Sequence, residues 1–157
     1  MGVMNVAQKI HIVPVRATTT DTATFIAPHI NMKLYDKVEF LVIFGTLSGG
    51  SNVLTVTQSA VTAGSTSTAI AARYRMPAAA GTDTMGDVTT LASTGLTLTY
   101  GTFTTKGVIV DVDSSDMTED SKPYVGLTFT GANSATSTIW ALCWPKFPKE
   151  TNAGALT

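Results

Sequence analysis

The segment 37–58 constrains the fold of this chain more than any other. It contains two runs rich in β-branched and aromatic residues, 38–44 and 52–58, around a Gly/Ser-rich turn, which predicts a strand–turn–strand pair. Successive side chains of a strand point to opposite faces. One face of the first strand therefore carries Val38, Phe40, Val42 and Phe44. Because Leu41 and Ile43 make the other face partly apolar as well, we predict that 38–44 is a central strand of a β-sandwich.

Short alternating runs recur along the rest of the chain, without the sustained period of a helix of ordinary length. Further strands are predicted at 10–15, 22–27, 68–76, 96–100, 107–112, 124–130 and 137–144. The pattern is typical of a sandwich, a jelly roll or a small barrel. We predict an all-β, single-domain antiparallel β-sandwich that is jelly-roll-like and has roughly eight or nine strands. It is expected to occupy residues 10–148, between an N-terminal arm, 1–9, and a C-terminal arm, 149–157.

Length and charge limit the class of protein. A chain of 157 residues suits one domain with a single core. Only 13% of the residues are charged, against about 25% in typical globular domains, which suggests that neighbouring molecules cover part of the surface. The net charge of −1 and the pI near 6.0 argue against a nucleic-acid-binding protein, because such proteins carry a basic stripe.

Neither a membrane-spanning nor a secretory segment is predicted. No unbroken apolar run approaches the roughly 20 residues of a membrane helix, and the N-terminal residues lack the apolar region of a signal peptide. Cys143 is the only cysteine, so no intrachain disulfide can form and a reducing compartment is compatible with the chain. We therefore expect a protein that is made and folded in a cytosol.

The densest acidic segment is 111–120, where Asp111, Asp113 and Asp116 are weak candidates for a Ca²⁺ site. An EF-hand-type loop that began at Asp111 would need glycine at its sixth position and glutamate at its twelfth, and those positions hold Asp116 and Lys122. A solvated turn between strands is therefore favoured. We predict no metal site and no cofactor.

No catalytic site is predicted from the motifs of the chain. His11, His29 and Cys143 are too far apart in sequence for a paired-ligand zinc motif. The chain has no Gly-x-Ser-x-Gly elbow, phosphate loop or dinucleotide fingerprint. Cys143 lies in an apolar strand, where a buried, inert thiol is expected. A nucleophile and base that meet only in space stay open, but no such pair can be named, so we predict that the protein is not an enzyme.

The last predicted strand places Trp140 and Trp144 on one face with Leu142 between them. The two tryptophans can be a platform for stacking carbohydrate, or they can be core and subunit-contact residues. Tryptophan buries a large apolar area and is enriched at interfaces. The leucine between them favours burial, so we predict core and contact roles.

Arg73 and Arg75 are predicted on the outward face of one strand, which is unusual in a chain with so little charge. Together with the acidic segment 111–120 they suggest head-to-tail contacts between copies of the chain. The alternative is that both patches merely face water. The full set of predicted partner-contact residues is Met4, Val6, Lys9, Arg73, Arg75, Trp144, Lys146 and Phe147.

Three segments of the chain carry a resemblance to a known family. They are 30–40 (INMKLYDKVEF), 107–116 (GVIVDVDSSD), which is a strand followed by an acidic turn, and 144–147 (WPKF), which is a strand end followed by proline and a basic–aromatic pair. With these segments the chain resembles small virion proteins that tailed bacteriophages encode near their capsid genes. The resemblance extends from about residue 10 to residue 157.

This resemblance implies a non-enzymatic head decoration or cement protein that binds across capsid subunits, often as a trimer. Its partner would be the major capsid protein or another virion protein, and its place the capsid surface, after synthesis in the bacterial host cytoplasm. Neither nucleic acid nor a membrane is an expected partner. The alternative is a neck, tail or fibre-like adhesion module that binds host-surface carbohydrate through the loop 77–95 and through Tyr74, Tyr100 or Tyr124.

Overall fold

The computed structural model describes residues 9–147 and 155–156. These residues form two antiparallel β-sheets that pack face to face. The strands in chain order are β1 (His11–Asp21), β2 (Phe25–Ile26), β3 (Ile30–Asn31), β4 (Tyr35–Leu47), β5 (Ser51–Ser59), β6 (Thr68–Ile70), β7 (Ala72–Arg75), β8 (Thr89–Leu91), β9 (Leu96–Thr99), β10 (Gly107–Asp113), β11 (Tyr124–Thr130) and β12 (Ala135–Pro145). A short helix, Tyr100–Phe103, follows β9, and a 3₁₀ turn, Ser114–Asp116, follows β10.

The strand order makes the sandwich a jelly roll. The first sheet has the order β1-β12-β4-β10-β7-β8, and the second has the order β2-β11-β5-β6, with β3 also paired to β11 and β9 to β5. When β3, β7, β8 and β9 are set aside, the other eight have the order β1-β12-β4-β10 in the first sheet and β2-β11-β5-β6 in the second. All consecutive strands of this set except β5 and β6 lie in different sheets, as in the two Greek keys of a jelly roll. The predicted all-β, jelly-roll-like sandwich is confirmed.

The predicted number of eight or nine strands is too low, because the described residues form twelve. Several of the additional strands have only two or three residues, as β3 and β8 do. Alternation of side chains cannot be recognised over so short a run, since a period of two needs several residues to repeat.

Strand β4 is central, as predicted, because it pairs with β12 on one side and with β10 on the other. Its predicted inner face, Val38, Phe40, Val42 and Phe44, is buried. The predicted pairing of the two strands of segment 37–58 is wrong, because β5 lies in the opposite sheet and pairs with β11, β6 and β9. Both arrangements need an apolar inner face on each strand, so the local sequence does not distinguish a hairpin from a connection that crosses between sheets.

The predicted strand 68–76 is two strands that lie in different sheets. β6 pairs with β5 in the second sheet, whereas β7 pairs with β10 in the first, and the chain passes between them at Ala71. Ile70 and Ala72 are both buried, as the predicted inner face requires. The side-chain alternation continues through the crossing, so the sequence pattern does not reveal the break.

The core lies between the two sheets and contains several aromatic pairs. Phe129 of β11 stacks on Phe25 of β2, with 4.5 Å between ring centroids. Phe44 of β4 meets both Phe103 and Phe129 edge-on, at 6.3 Å in each case. Stacked and edge-to-face pairs add to the stabilisation from buried area. The Phe44–Phe129 pair connects the two sheets, whereas Phe25 and Phe129 are paired residues within the second sheet.

The end of the chain returns to the sandwich. Ala155 is buried, and its carbonyl oxygen accepts a hydrogen bond of 3.1 Å from the backbone N–H of Asn31. Leu156 packs against the core. The rest of the predicted arms, 1–8, 149–154 and 157, lies outside the described residues, as does Pro148 at the end of the predicted sandwich.

Candidate interaction surface

The outer face of the first sheet is apolar across four neighbouring strands, β1, β12, β4 and β10. Directly paired residues of an antiparallel sheet lie on the same face. Trp140 of β12 is paired with Pro14 of β1 and with Leu41 of β4, and Leu41 is paired with Ile109 of β10. The same face includes residues of the adjacent rows, and we call the whole set the apolar stripe: Ile12, Pro14, Leu41, Ile43, Ile109, Trp140 and Leu142.

The apolar stripe is partly open to water. Ile12 and Ile43 are each 47% exposed, and Trp140 is 39% exposed. An antiparallel sheet that faces water on one side usually carries polar residues there. A contiguous exposed apolar patch is instead typical of a surface that another molecule covers, so the stripe is the candidate interaction surface of this protein.

The prediction that the tryptophans point into the core is wrong for Trp140. β12 turns Ile139, Ala141 and Cys143 inwards, and all three are completely buried. Both faces of β12 are apolar, so periodicity alone did not decide between them. Side-chain size indicates the inner face of β12. The small Ala141 is paired with the large Phe40, and an interior packs well when small and large residues alternate.

Charged residues gather at one end of the apolar stripe, where Leu142 is paired with Glu39 and Glu39 with Asp111. We call them the ion cluster: Lys37, Glu39, Arg73, Asp111, Asp113 and Asp116. Strand pairing brings them together, because β4 and β7 lie on either side of β10.

Lys37 and Arg73 are the cations of the ion cluster. The Lys37 Nζ atom lies 2.9 Å from Glu39 Oε1 and 3.0 Å from Asp111 Oδ1. Burial disfavours the charge on Lys37, but the hydrogen bonds and charges of these two carboxylates outweigh it and raise its pKa. The Arg73 guanidinium pairs with Asp113 and lies 3.3 Å from Asp116 Oδ2. Burial disfavours its charge, but the surrounding carboxylates outweigh this effect and raise the pKa of Arg73.

These ion pairs change the interpretation of Arg73. The acidic segment 111–120 was expected to attract arginines of another copy, but its carboxylates already pair with Arg73 within one chain. Arg75 is paired with Ile109 beside the apolar stripe, and no carboxylate of the described residues lies within 4.0 Å of its guanidinium. A contact role for either arginine stays a prediction.

The weak Ca²⁺ candidates Asp111, Asp113 and Asp116 surround the Arg73 guanidinium. Across residues 9–147 and 155–156, no group of three or more metal-ligating side chains is arranged to hold an ion. The Asp116 carboxylate also accepts a hydrogen bond of 2.8 Å from the Asp113 backbone N–H, which fixes the 3₁₀ turn. Side-chain cations and backbone thus use the oxygen atoms that a metal would need.

The remaining reactive side chains lie apart from the stripe. The Cys143 thiol is buried as predicted, and burial raises its pKa to about 12, so it is protonated at neutral pH. His11 Nδ1 lies 2.6 Å from the Tyr35 hydroxyl, and burial lowers the pKa of His11. His29 is completely buried beneath a loop on the second sheet.

The other predicted contact residues lie near the chain ends. Met4 and Val6 are outside the described residues, and Lys9 is exposed. Trp144 is half-buried, with its ring 5.4 Å from Lys37 Nζ. Phe147 is 77% exposed. Lys146 lines an open cavity of about 260 Å³, together with Lys33, Met117 and Glu119.

Most of the loop 77–95 proposed for adhesion is exposed, but the range also contains strand β8 and the buried residues Pro77 and Leu91. Every residue from 78 to 90 is exposed, including Val88, which is 51% exposed. Of the three candidate tyrosines, Tyr100 is 52% exposed, whereas Tyr74 packs against the core and Tyr124 is half-buried. Tyr100 is therefore the most available of the three for a ligand.

The fold and this surface define a single-domain jelly-roll sandwich with a partly apolar outer sheet face. Comparison of the chain with protein-family models, with curated proteins and with solved structures finds no match. Within the part of the chain that the structure describes, no helix is long and apolar enough to cross a membrane.

Proposed function

We propose that this chain is a non-enzymatic structural protein of a bacteriophage virion: a capsid decoration protein that binds across shell subunits and stabilises the head. The observation that carries the proposal is the apolar stripe on the outer face of the first sheet. The jelly roll supports it as an architecture that viral capsid domains use. The resemblance of three segments to small virion proteins supports the choice of partner.

The free energy gained by covering one apolar stripe is small, which favours binding through several copies at once. Fully burying one large apolar side chain contributes about 1.5–3 kcal/mol. Because two-fifths to half of Ile12, Ile43 and Trp140 is exposed, covering those parts contributes about 2–4 kcal/mol per copy. Association costs about 4–15 kcal/mol. One stripe alone therefore binds weakly, and a homo-oligomer that presents several stripes to a shell, a trimer in the favoured form, binds through their sum.

The partner in this proposal is the major capsid protein or another virion protein, and the location is the capsid surface. The low charge of the chain, 13%, supports a protein whose surface is partly covered by neighbours. Each copy adds a small stabilisation, and many copies together resist the pressure of packaged DNA. No step of this mechanism needs a catalytic group, a cofactor or nucleic-acid binding.

The test mixes the purified protein with expanded empty shells of the major capsid protein encoded with it. We expect saturable binding at a fixed ratio to shell subunits and a higher shell melting temperature. Ile43→Lys, which places a charge in the apolar stripe, should weaken shell binding at least tenfold. Thr99→Lys is the matched control, because Thr99 is exposed on the second sheet beside the buried Leu98.

Two results would count against this proposal in different ways. Absence of binding to shells at micromolar protein rejects the decoration role. Equal binding by the wild type and the Ile43→Lys variant keeps the role but rejects the apolar stripe as the contact. Light scattering of the free protein measures the oligomeric state independently of both.

A second candidate is an adhesion module of the neck, tail or fibre. The exposed residues 78–90 and the 52% exposed Tyr100 favour it, because aromatic side chains stack on sugar rings. A glycan array separates the two candidates. Selective binding of one glycan class that is lost in Tyr100→Ala supports adhesion, whereas a decoration protein shows no sugar selectivity.

A further inference from the structure

His29 lies outside the main core, on the outer face of the second sheet. The alternate residues Val56 and Leu127 point into the core, so Thr57 and Gly126 point outwards, towards His29. A Cβ atom on Gly126 would lie 2.4 Å from His29 Nδ1. The imidazole ring therefore rests directly on the backbone of β11.

The loop 60–67 covers the other side of the ring. A Cβ atom on Gly64 would lie 2.5 Å from His29 Cε1, and Gly64 has a φ of +71°, which glycine adopts without strain. The His29 backbone N–H donates to the Thr62 carbonyl oxygen at 2.8 Å. With a glycine on each side, the ring fills a slot between the sheet and the loop.

Two hydrogen bonds orient the His29 ring. His29 Nδ1 lies 2.9 Å from the Ala27 carbonyl oxygen, which only accepts, so Nδ1 carries the proton. His29 Nε2 lies 3.0 Å from Thr57 Oγ1 and accepts from that hydroxyl. A second proton on the ring would require Nε2 to donate instead.

In the described segments that pack against His29, no charged side chain is present to compensate a second proton. The segments packed against His29 are 24–31, β5, the loop 60–67 and β11. None of them contains Asp, Glu, Lys or Arg, and Tyr124 in β11 is their only other titratable residue. Burial lowers the pKa of His29, and the hydrogen bond to Ala27 opposes this only in part.

We propose that His29 and the loop 60–67 form an acid-released latch, in which protonation of His29 frees the loop while the sandwich stays folded. Opening the loop brings the ring into water without separating the two sheets. Most residues of the loop are exposed, so the closed position rests largely on the slot, the bond to Thr62 and the 2.8 Å bond from Ser59 Oγ to the Ser65 carbonyl oxygen.

The pKa of His29 in the closed and in the open loop determines how loop opening depends on pH. In the open loop the His29 pKa returns towards its ordinary value near 6.5, and in the closed loop it is lower. The closed loop is therefore favoured above about pH 6.5, and it loses stability as the pH falls below that value. Between the two pKa values, the opening equilibrium rises by up to about tenfold per pH unit.

Hydrogen exchange tests the latch in the intact chain, with rates corrected for intrinsic pH dependence. We expect the protection of the His29 and Gly64 amides to fall by up to about tenfold per unit between pH 6.5 and 5, while core amides of β4 such as Val42 keep theirs. His29→Gln, which stays neutral, should abolish that pH dependence. His11→Gln is the matched control and should leave it unchanged.

An NMR titration of the His29 ring in the wild type gives a second readout that needs no variant. Titration below the ordinary value, together with loop exchange that follows it, supports the latch. Loop protection that does not change with pH overturns the proposal, and so does loss of protection in β4 in parallel with the loop, because opening is then global. The latch does not depend on the proposed function, since it lies on the sheet opposite the apolar stripe.

Discussion

Replacing Gly126 with alanine perturbs the packing of His29 at its closest point. The new methyl group would lie 2.4 Å from His29 Nδ1 and 2.6 Å from its Cγ. Both atoms belong to a rigid ring that is held by hydrogen bonds to Ala27 and Thr57, so the ring has to move. Overpacking costs about 1–3 kcal/mol, and the two hydrogen bonds contribute about 0.5–1.5 kcal/mol each. We expect Gly126→Ala to lower the free energy of unfolding by about 2–6 kcal/mol.

Urea denaturation followed by circular dichroism measures this change, with the m-value as a check on two-state behaviour. Gly107→Ala is the matched control in a strand of the other sheet. Its Cβ atom would meet only the Val42 carbonyl oxygen, at the ordinary contact distance of 3.6 Å. We expect Gly107→Ala to change the free energy of unfolding by less than about 1 kcal/mol.

A double-mutant cycle isolates the contact between the two side chains. In a His29→Ala background neither the overpacking nor the loss of the His29 hydrogen bonds can occur, so most of the destabilisation by Gly126→Ala should disappear. The reasoning is refuted if Gly126→Ala destabilises both backgrounds equally. It is also refuted if Gly126→Ala is as mild as Gly107→Ala in the wild type.

Three further outcomes follow from burial. Phe40→Ala empties a completely buried site in β4 and should lower the free energy of unfolding by about 3–5 kcal/mol in urea titrations; a loss below about 1 kcal/mol would contradict the core assignment. Cys143, with its pKa raised to about 12, should react with a thiol reagent at pH 8 only on unfolding, and rapid labelling of the native protein would contradict its burial. Burial lowers the pKa of both His11 and His29, so their contribution to the free energy of unfolding should be fully present above about pH 6.5 and should decline as the pH falls through the folded-state pKa values. Melting temperatures measured from pH 7.5 to 5 test this expectation. If the melting temperature of His29→Gln declines as steeply as that of the wild type, the decline belongs to other groups.

The fold class and the central strand were predictable because β4 keeps one alternating apolar face over many residues. The assignment of strands to the two sheets was not predictable. The wrong pairing of β4 with β5 and the missed break between β6 and β7 have the same cause. From β4 to β5, and again from β6 to β7, the chain crosses between sheets while the inner face stays apolar. Alternation records which side faces the core, and it carries no information about which sheet supplies the strand.

The ion cluster was beyond sequence reasoning for a related cause. Arg73 and Asp111 become neighbours only because β7 pairs with β10. The acidic density around 111–120 was visible, but its cation is contributed by a strand in a different part of the chain. The pairing of strands within one chain therefore supplies a cation for Asp111, Asp113 and Asp116, and the order of residues in the sequence does not indicate this cation.

The wrong prediction for Trp140 and the presence of the apolar stripe have the same cause. In a sandwich of two layers each strand has one face towards the core and one face away from it. β12 nevertheless carries apolar residues on both, with Ile139, Ala141 and Cys143 inside and Trp140 and Leu142 outside. In a two-layer fold, a strand that is apolar on both faces therefore has an outer face of the kind that is typical of contact surfaces. β4 is also apolar on both faces, and its outer residues Leu41 and Ile43 lie beside Trp140. The strands whose inner face the sequence leaves ambiguous are thus the strands that form the apolar stripe.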